Sequence, residues 1–274
     1  MLSSIEQNIK LKIEKAGKRL KDWDIQINYG IKTGFNEAFI ISSEKRNELL
    51  QKCPECDEII RPILLGRNIK RYSFEWEGLW LINSHNGNKN QGIARVEVDR
   101  DYPTIFKYLA QFQLKLEKRL DKGDHWTNLR NCAYLEDFNK YKIAWGNLSL
   151  NAQFSLIPPS FVINAPSPFF STDNLYLLAV LNSVIGDYYI KQLGVSRSGG
   201  YIEYKPMFVG NLPIPEVTEE QQEPIKKLAE NIIANRLKGT NVIALEKELN
   251  DKIFKLYDMT DQEIFIIESQ TAKE

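Results

Sequence analysis

No stretch of this 274-residue chain approaches the roughly 18 consecutive apolar residues of a membrane-spanning helix. The opening segment, MLSSIEQNIKLKIEKAGKRL, also lacks the uninterrupted apolar core of a signal peptide. A cytoplasmic location with no membrane partner is therefore expected. Cysteine is scarce: Cys53, Cys56 and Cys132 make an odd count, which suggests no disulfide framework and fits a reducing compartment. Histidine is scarcer, with only His85 and His125. There is no phosphate-binding loop with its lysine, no Gly-x-Ser-x-Gly elbow and no convincing carboxylate-lysine nuclease set. Independent catalysis is not expected.

What is present is a globular composition, with 43% hydrophobic and 11% aromatic residues. The 36 basic and 36 acidic residues cancel, but unevenly along the chain. Residues 1–212 carry 28 basic and 23 acidic side chains, whereas 213–274 carry 8 and 13. An acidic end is poorly suited to a polyanion and better suited to facing a protein partner. The Cys53-Pro-Glu-Cys56 spacing fits a metal ligand pair, which His85 or His125 with Cys132 could complete as a zinc site. A second Cys-x-x-Cys is missing, and the simpler reading is two thiols in a loop before the strand-like EIIRPIL.

Periodicity predicts an amphipathic helix over residues 3–20, ending near Gly17, then an alternating hairpin over 25–41 and a Ser43-capped helix to residue 50. A strand is expected at 76–83, a polar loop at 85–92 and a helix at 101–120. Short strands follow at 141–148, 154–157 and 161–163, then a helix over 175–192. Three more helices are expected at 219–236, 241–257 and 261–269. The predicted class is mixed α/β (α+β), with short strands and flanking helices, then a C-terminal helical segment. The expected divisions are a linker or docking helix (1–21), a recognition module (22–215) and a helical tail (216–274). The proline-marked LPIPEVTEEQQEP separates the last two.

Three polar loops stand out. Gly30-Ile-Lys-Thr-Gly-Phe-Asn36 places Lys32, Thr33 and Asn36 around glycines whose backbone can approach a phosphate closely; a tight hairpin turn is the competing reading. Arg67-Asn-Ile-Lys-Arg-Tyr72 gathers Arg67, Asn68, Lys70 and Arg71 without a carboxylate, in residue types that read guanine, adenine and phosphate. Ser196-Arg-Ser-Gly-Gly-Tyr-Ile-Glu-Tyr-Lys205 adds Ser196, Arg197, Ser198 and Lys205 on a glycine-loosened connector. Arg130, in DHWTNLRNC, belongs to a further polar-aromatic cluster with Trp126 and Asn128.

Four separated segments, together spanning residues 22–215, resemble one family. NLYLLAVLNSVIGDYYIKQLG followed by YIEYKPMFVGNLPIP is similar to the close of the TaqI-like C-terminal specificity domain of adenine-specific restriction-modification enzymes. Upstream, YGIKTGFNEAFII and IIRPILLGRNIKRY resemble that family's opening hairpin and its P-x-L-x-G-R-x-I-K-R-Y segment. The resemblance implies a target recognition domain of the kind found in Type IIG or Type I-like restriction-modification and phage-defence methyltransferases. Such a module clamps double-stranded DNA opposite a catalytic domain and helps position an adenine that the methyltransferase flips out. It implies DNA contact by the loop residues named above. The [Asn/Asp]-Pro-Pro-aromatic loop and the glycine-containing S-adenosylmethionine turn of an amino-methyltransferase are missing, since Pro158-Pro159-Ser160 has neither the preceding polar residue nor the aromatic. Catalysis, its S-adenosylmethionine and any nuclease would then belong to another domain or subunit, docked against the helix at 3–20 or those after 218. Two other readings stay open: a protein-interaction module of a defence complex with no DNA specificity of its own, and a metal nuclease built on Glu97, Asp99 and Asp101.

Overall fold

An eight-residue run with no polar face, Leu175-Tyr-Leu-Leu-Ala-Val-Leu-Asn182, can lie only inside the molecule. In the computed structural model, which describes residues 3–271, Tyr176 through Asn182 are all buried. Around this run the chain begins with helix α1 (Ser4–Lys15) and strands β1 (Gly17–Arg19) and β2 (Asn28–Tyr29). The single turn α2 (Asn36–Phe39) precedes β3 (Ile40–Ser42), α3 (Ser43–Lys52) and β4 (Ile60–Leu64). The small ladder β5 (Ile69–Lys70) and β6 (Ser73–Phe74) comes before β7 (Leu79–Ile82). Short helices α4 (Val98–Asp101), α5 (Pro103–Ala110) and α6 (Gln113–Glu117) follow. Next are β8 (Lys142–Trp145), β9 (Leu148–Ser149), β10 (Phe154–Ile157), β11 (Val162–Ile163) and β12 (Pro168–Ser171). The apolar run is α7 (Leu175–Asn182), followed by α8 (Val184–Leu193), β13 (Ile202–Glu203), α9 (Pro206–Val209) and β14 (Pro213–Pro215). Helices α10 (Glu219–Leu237), α11 (Ile243–Leu256) and α12 (Asp261–Thr271) complete the order. The class is mixed α and β, as the composition and periodicity predict.

Two four-stranded sheets carry the architecture. One, in the order β10-β8-β12-β2, is antiparallel throughout; the other, β11-β4-β7-β3, has one parallel pair, β11 with β4. The first sheet lies between two apolar cores. Ile143, Trp145, Phe154 and Phe170 pack into a core with α1, α7, α8 and α10 to α12, while their neighbours Ala144, Ile157 and Phe169 enter the core of the second sheet. Successive strand residues point to opposite faces, so a strand between two cores reads as continuously apolar. Each such aromatic or aliphatic side chain contributes about 1.5–3 kcal/mol by leaving water.

The two ends of the described chain meet in the first core. Ile9 and Ile13 of α1 are fully buried there with Ile232, Ile253 and Ile267. Helix α1 stops at Ala16, next to the Gly17 at which the sequence placed its end, and Gly17–Arg19 pairs antiparallel with Pro213–Pro215. The strand just before the predicted boundary near residue 215 is therefore bonded to residues 17–19.

Other expectations change where tertiary contacts prevail. The predicted hairpin over 25–41 is absent: β2 pairs with β12 and β3 with β7, so the two halves enter different sheets. Gly30 is pressed against the backbone of residues 163–165, where a Cβ would come within 2.4 Å of Ile163 O. The helix predicted at 101–120 is divided into α5 and α6 at Phe112 (φ −110°, ψ 5°), with α4 ahead of it, where Tyr102 leaves the helical region (φ −131°, ψ 63°) before Pro103. The helix over 175–192 breaks at Ser183, whose extended backbone (φ −66°, ψ 159°) lets its hydroxyl cap α8 through the Gly186 N–H. Cys53 and Cys56, expected as free thiols, are buried and joined by a disulfide across an otherwise exposed turn after α3. Among the described residues no three His, Cys, Asp or Glu side chains gather to hold a metal ion.

One buried charge makes stability depend on pH. Lys142 is fully buried, and its Nζ donates to Pro158 O and Phe161 O, each at 3.2 Å. A neutral amine has two N–H bonds for these two acceptors. Burial first, and the nearby positive Arg61 second, push its pKa down from 10.5 to about 7. Between those values the unfolded chain holds a proton that the folded chain lacks, so stability rises with pH. Urea midpoints are expected to climb from pH 7 to 8.5, with a contribution approaching about 1.4 kcal/mol per pH unit. Lys142→Met should flatten the climb, and a slope unchanged in that variant would refute the assignment.

Candidate functional site

The Arg67–Tyr72 hairpin is held from within. Asn68 is buried, and its Oδ1 accepts from the Leu65 N–H at 2.8 Å, closing the turn before β5. Tyr72 has a left-handed backbone (φ 60°), a conformation that costs energy for a non-glycine residue, and its ring sits in the first core. Its N–H donates to Phe154 O at 3.0 Å. With Asn68 and Tyr72 inside, Arg67 and Lys70 line an open cleft of about 1110 Å³. Asn68, named with this loop as a candidate for DNA contact, is turned inward and shapes the turn. Arg71 is also corrected: its Nε donates to Glu246 of α11 at 3.2 Å, beside an Arg236–Glu246 pair at 3.0 Å, so it faces the helices.

The opposite wall comes from the 195–205 connector. Gly199 and Gly200 have φ values of 76° and 78°, which residues with a Cβ rarely adopt, and the loop turns back so that Arg197 N–H reaches Tyr201 O at 2.7 Å. Its base is tied to the first core. Trp145 Nε1 donates to Tyr204 O at 2.6 Å, while buried Asp187 accepts from the Tyr204 hydroxyl and from Ala152 N–H. Arg197, Ser198 and Tyr201 line the cleft, and Ser196 and the rest of the loop tip are exposed.

The third contribution is Asn36. Thr33 is buried, and its hydroxyl donates to Asn36 Oδ1 and accepts from Phe35 N–H, so it orients Asn36 and is not free for a ligand. The cleft thus gathers Asn36, Arg67, Lys70, Arg197 and Ser198 from three loops far apart in the sequence. Lys205 stands beside it through its ion pair with Glu203 at 2.6 Å.

Carboxylates temper these cations. Arg67 donates twice to Glu77, at 3.0 and 2.7 Å, and that hydrogen-bonded pairing lowers the Glu77 pKa. Glu203, a cleft residue that sequence reading passed over, is held below the usual carboxylate range by Lys205 and then Arg197. Lys70 makes no ion pair with any described residue. The Arg67 side chain is 64% exposed, so solvent screens its pairing and an incoming anion can displace Glu77. Asn147, Gln153 and Asn164 also line the cleft, and Asn147 Oδ1 is buried with no hydrogen-bond partner among the described residues. Asn147 lies within, and Gln153 and Asn164 border, segments that read only as short strands, so no local signal marked them.

Lys32 and Arg130 lie elsewhere. They share Asp121, at 2.8 and 3.0 Å, and line a second cleft of about 520 Å³ that meets the first at Ala165 and Pro166. Buried Arg119 fixes this region by donating to Thr33 O, to Trp126 O at 2.7 Å and to Asn128 O at 3.0 Å. Burial lowers its pKa to about 10, and its guanidinium lies 4.6 Å from the Phe39 ring centre.

Comparison with known proteins now bears on this geometry. The family described as TaqI-like C-terminal specificity domain matches residues 61–214, more than half of the chain. The Type II methyltransferase M.MjaIV of Methanocaldococcus jannaschii is 28% identical over 255 residues, which cover 86% of this chain and 82% of that protein. Among solved structures, the Type IIL restriction-modification enzyme MmeI, determined in complex with DNA, has a TM-score of 0.67 at 12% identity. The match covers 94% of this chain and 37% of MmeI. The Type IIG restriction endonuclease BpuSI gives 0.54 at 14% identity, over 93% of this chain and 34% of its own. The chain therefore spans about a third of the length of these two enzymes, whose likeness at such identities is one of fold.

Proposed function

Because the chain belongs to the TaqI-like C-terminal specificity domain family, we propose that it recognises sequence in double-stranded DNA for an adenine-specific restriction-modification methyltransferase whose catalytic domain lies elsewhere. The observation that carries this reading is the open cleft in which Asn36, Arg67, Lys70, Arg197 and Ser198 converge from three separate loops. Cations that reach phosphate and amides that reach base edges are the two components a duplex reader needs. Neutral overall charge does not oppose this, because Arg67 and Lys70 are concentrated at the cleft, whereas the acidic residues after 213 belong to helices that pack on the first core and do not line the cleft.

The division of labour follows from what the cleft contains. Asn147, Gln153, Asn164 and Glu203 offer acceptors and donors suited to base edges. The exposed pair of Arg67 with Glu77, and that of exposed Arg197 with buried Glu203, keep the cations extended until phosphate replaces the carboxylate. The partner domain would hold S-adenosylmethionine and take up the flipped adenine. Selection of this chain against a pool of randomised duplexes is expected to enrich a short motif containing adenine. Retention without enrichment would remove sequence reading from the proposal, and no retention would remove DNA.

A further inference from the structure

The surface does not level off at the Ala165–Pro166 edge of the large cleft. Those two residues also line the second cleft, and Asn131, Cys132 and Ala133 on its far side line a third, of about 430 Å³. The three run together as one trough. Its middle is walled by Tyr29, Ile31, Leu129 and Tyr134 and carries Lys32 and Arg130; its far end is an asparagine-rich loop with Lys89 and, beside it, Asp124. A trough with an apolar middle and cations along it matches a sugar–phosphate backbone, in which apolar deoxyribose faces alternate with phosphates.

The cations are prepared for such a strand. Lys32 and Arg130 come from distant segments, yet share Asp121 and remain 57% and 58% exposed. Arg130 meets Asp121 through one Nη, which leaves its other donors for an anion. Arg119 holds the carbonyls of Thr33, Trp126 and Asn128, so the loops bearing Lys32 and Arg130 are fixed relative to each other. Lys89 makes no ion pair with any described residue.

We infer that the duplex path continues from the large cleft through this trough, with Lys32 and Arg130 contacting phosphates beyond the target and Lys89 lying further along. The inference rests on the DNA reading of the large cleft. It is tested with the whole chain and a mixed-sequence duplex of about 30 base pairs, by fluorescence anisotropy between about 50 and 200 mM salt. The double variant Lys32→Gln/Arg130→Gln is expected to bind about tenfold more weakly at the lower salt, with a salt slope shallower by about two. Asp121→Asn is expected to do the opposite, binding a few-fold more tightly with a steeper slope, because both cations lose their internal partner. A purely structural triad would weaken binding in both variants, and that result would overturn the inference. An unchanged double variant beside a weakened Arg67→Ala/Lys70→Ala would end the path at Pro166 while leaving the DNA reading intact. Absence of binding by the unaltered chain, or indifference to both pairs of substitutions, would overturn both.

Discussion

Alanine at Arg67, Lys70 and Arg197 together is expected to weaken duplex binding by about a hundredfold at moderate salt and to make the salt slope shallower by about three. The three side chains reach one cleft from two loops, and each is exposed or free of a buried partner. A cation contacting phosphate releases about one counterion, and three contacts of this kind sum to roughly two orders of magnitude. Arg71→Ala is the internal control. Its guanidinium is engaged by Glu246, so it should leave the salt slope unchanged while lowering the midpoint of unfolding. Titrations at several salt concentrations separate these outcomes, and a triple variant with the parent slope would remove the cleft from the DNA path.

Arg119→Met is expected to destabilise the fold by about 3–5 kcal/mol, because removing one member of a buried charged network strands its partners. Here the partners are the carbonyls of Thr33, Trp126 and Asn128, which sit where water cannot replace the guanidinium. The expected fall in melting temperature is about 10 °C for a chain of this size. Arg119→Lys should be nearly as harmful, since one ammonium cannot span three divergent carbonyls as the planar fork does. Thermal unfolding monitored by circular dichroism decides it; a loss under 1 °C would show that the loops hold without this residue.

Sequence patterns located the elements better than their ends. Helix α7 was apparent because a run without a polar face has only an interior solution, and α1 because Ile9 and Ile13 repeat at helical spacing. The hairpin over 25–41 was not recoverable, because alternation marks a strand without naming its partner: Asn28 pairs with Phe169 and Ile40 with Leu81. The same limit applies to the site. Glycines 199 and 200, and the Arg67-to-Tyr72 stretch without a carboxylate, marked two of the loops that line the large cleft. Side-chain direction within them was hidden, since Asn68 and Thr33 have the chemistry of ligands and the surroundings of turn residues.

By itself, then, the sequence determined the mixed fold class, the buried helix and a family whose match over residues 61–214 takes in three of the four resembling segments, while the cap of α3 fell one residue earlier than expected, on Ser42. These depend on neighbours close in the chain, where backbone preference and residue spacing act directly. Tertiary structure alone decided that residues 17–19 bind 213–215, that one sheet lies between two cores, and which cations face the cleft. Each of those outcomes joins residues far apart in the chain, as Asp121 joins Lys32 to Arg130 and Glu246 draws Arg71 away, and such pairings exist only once packing has brought the partners into contact.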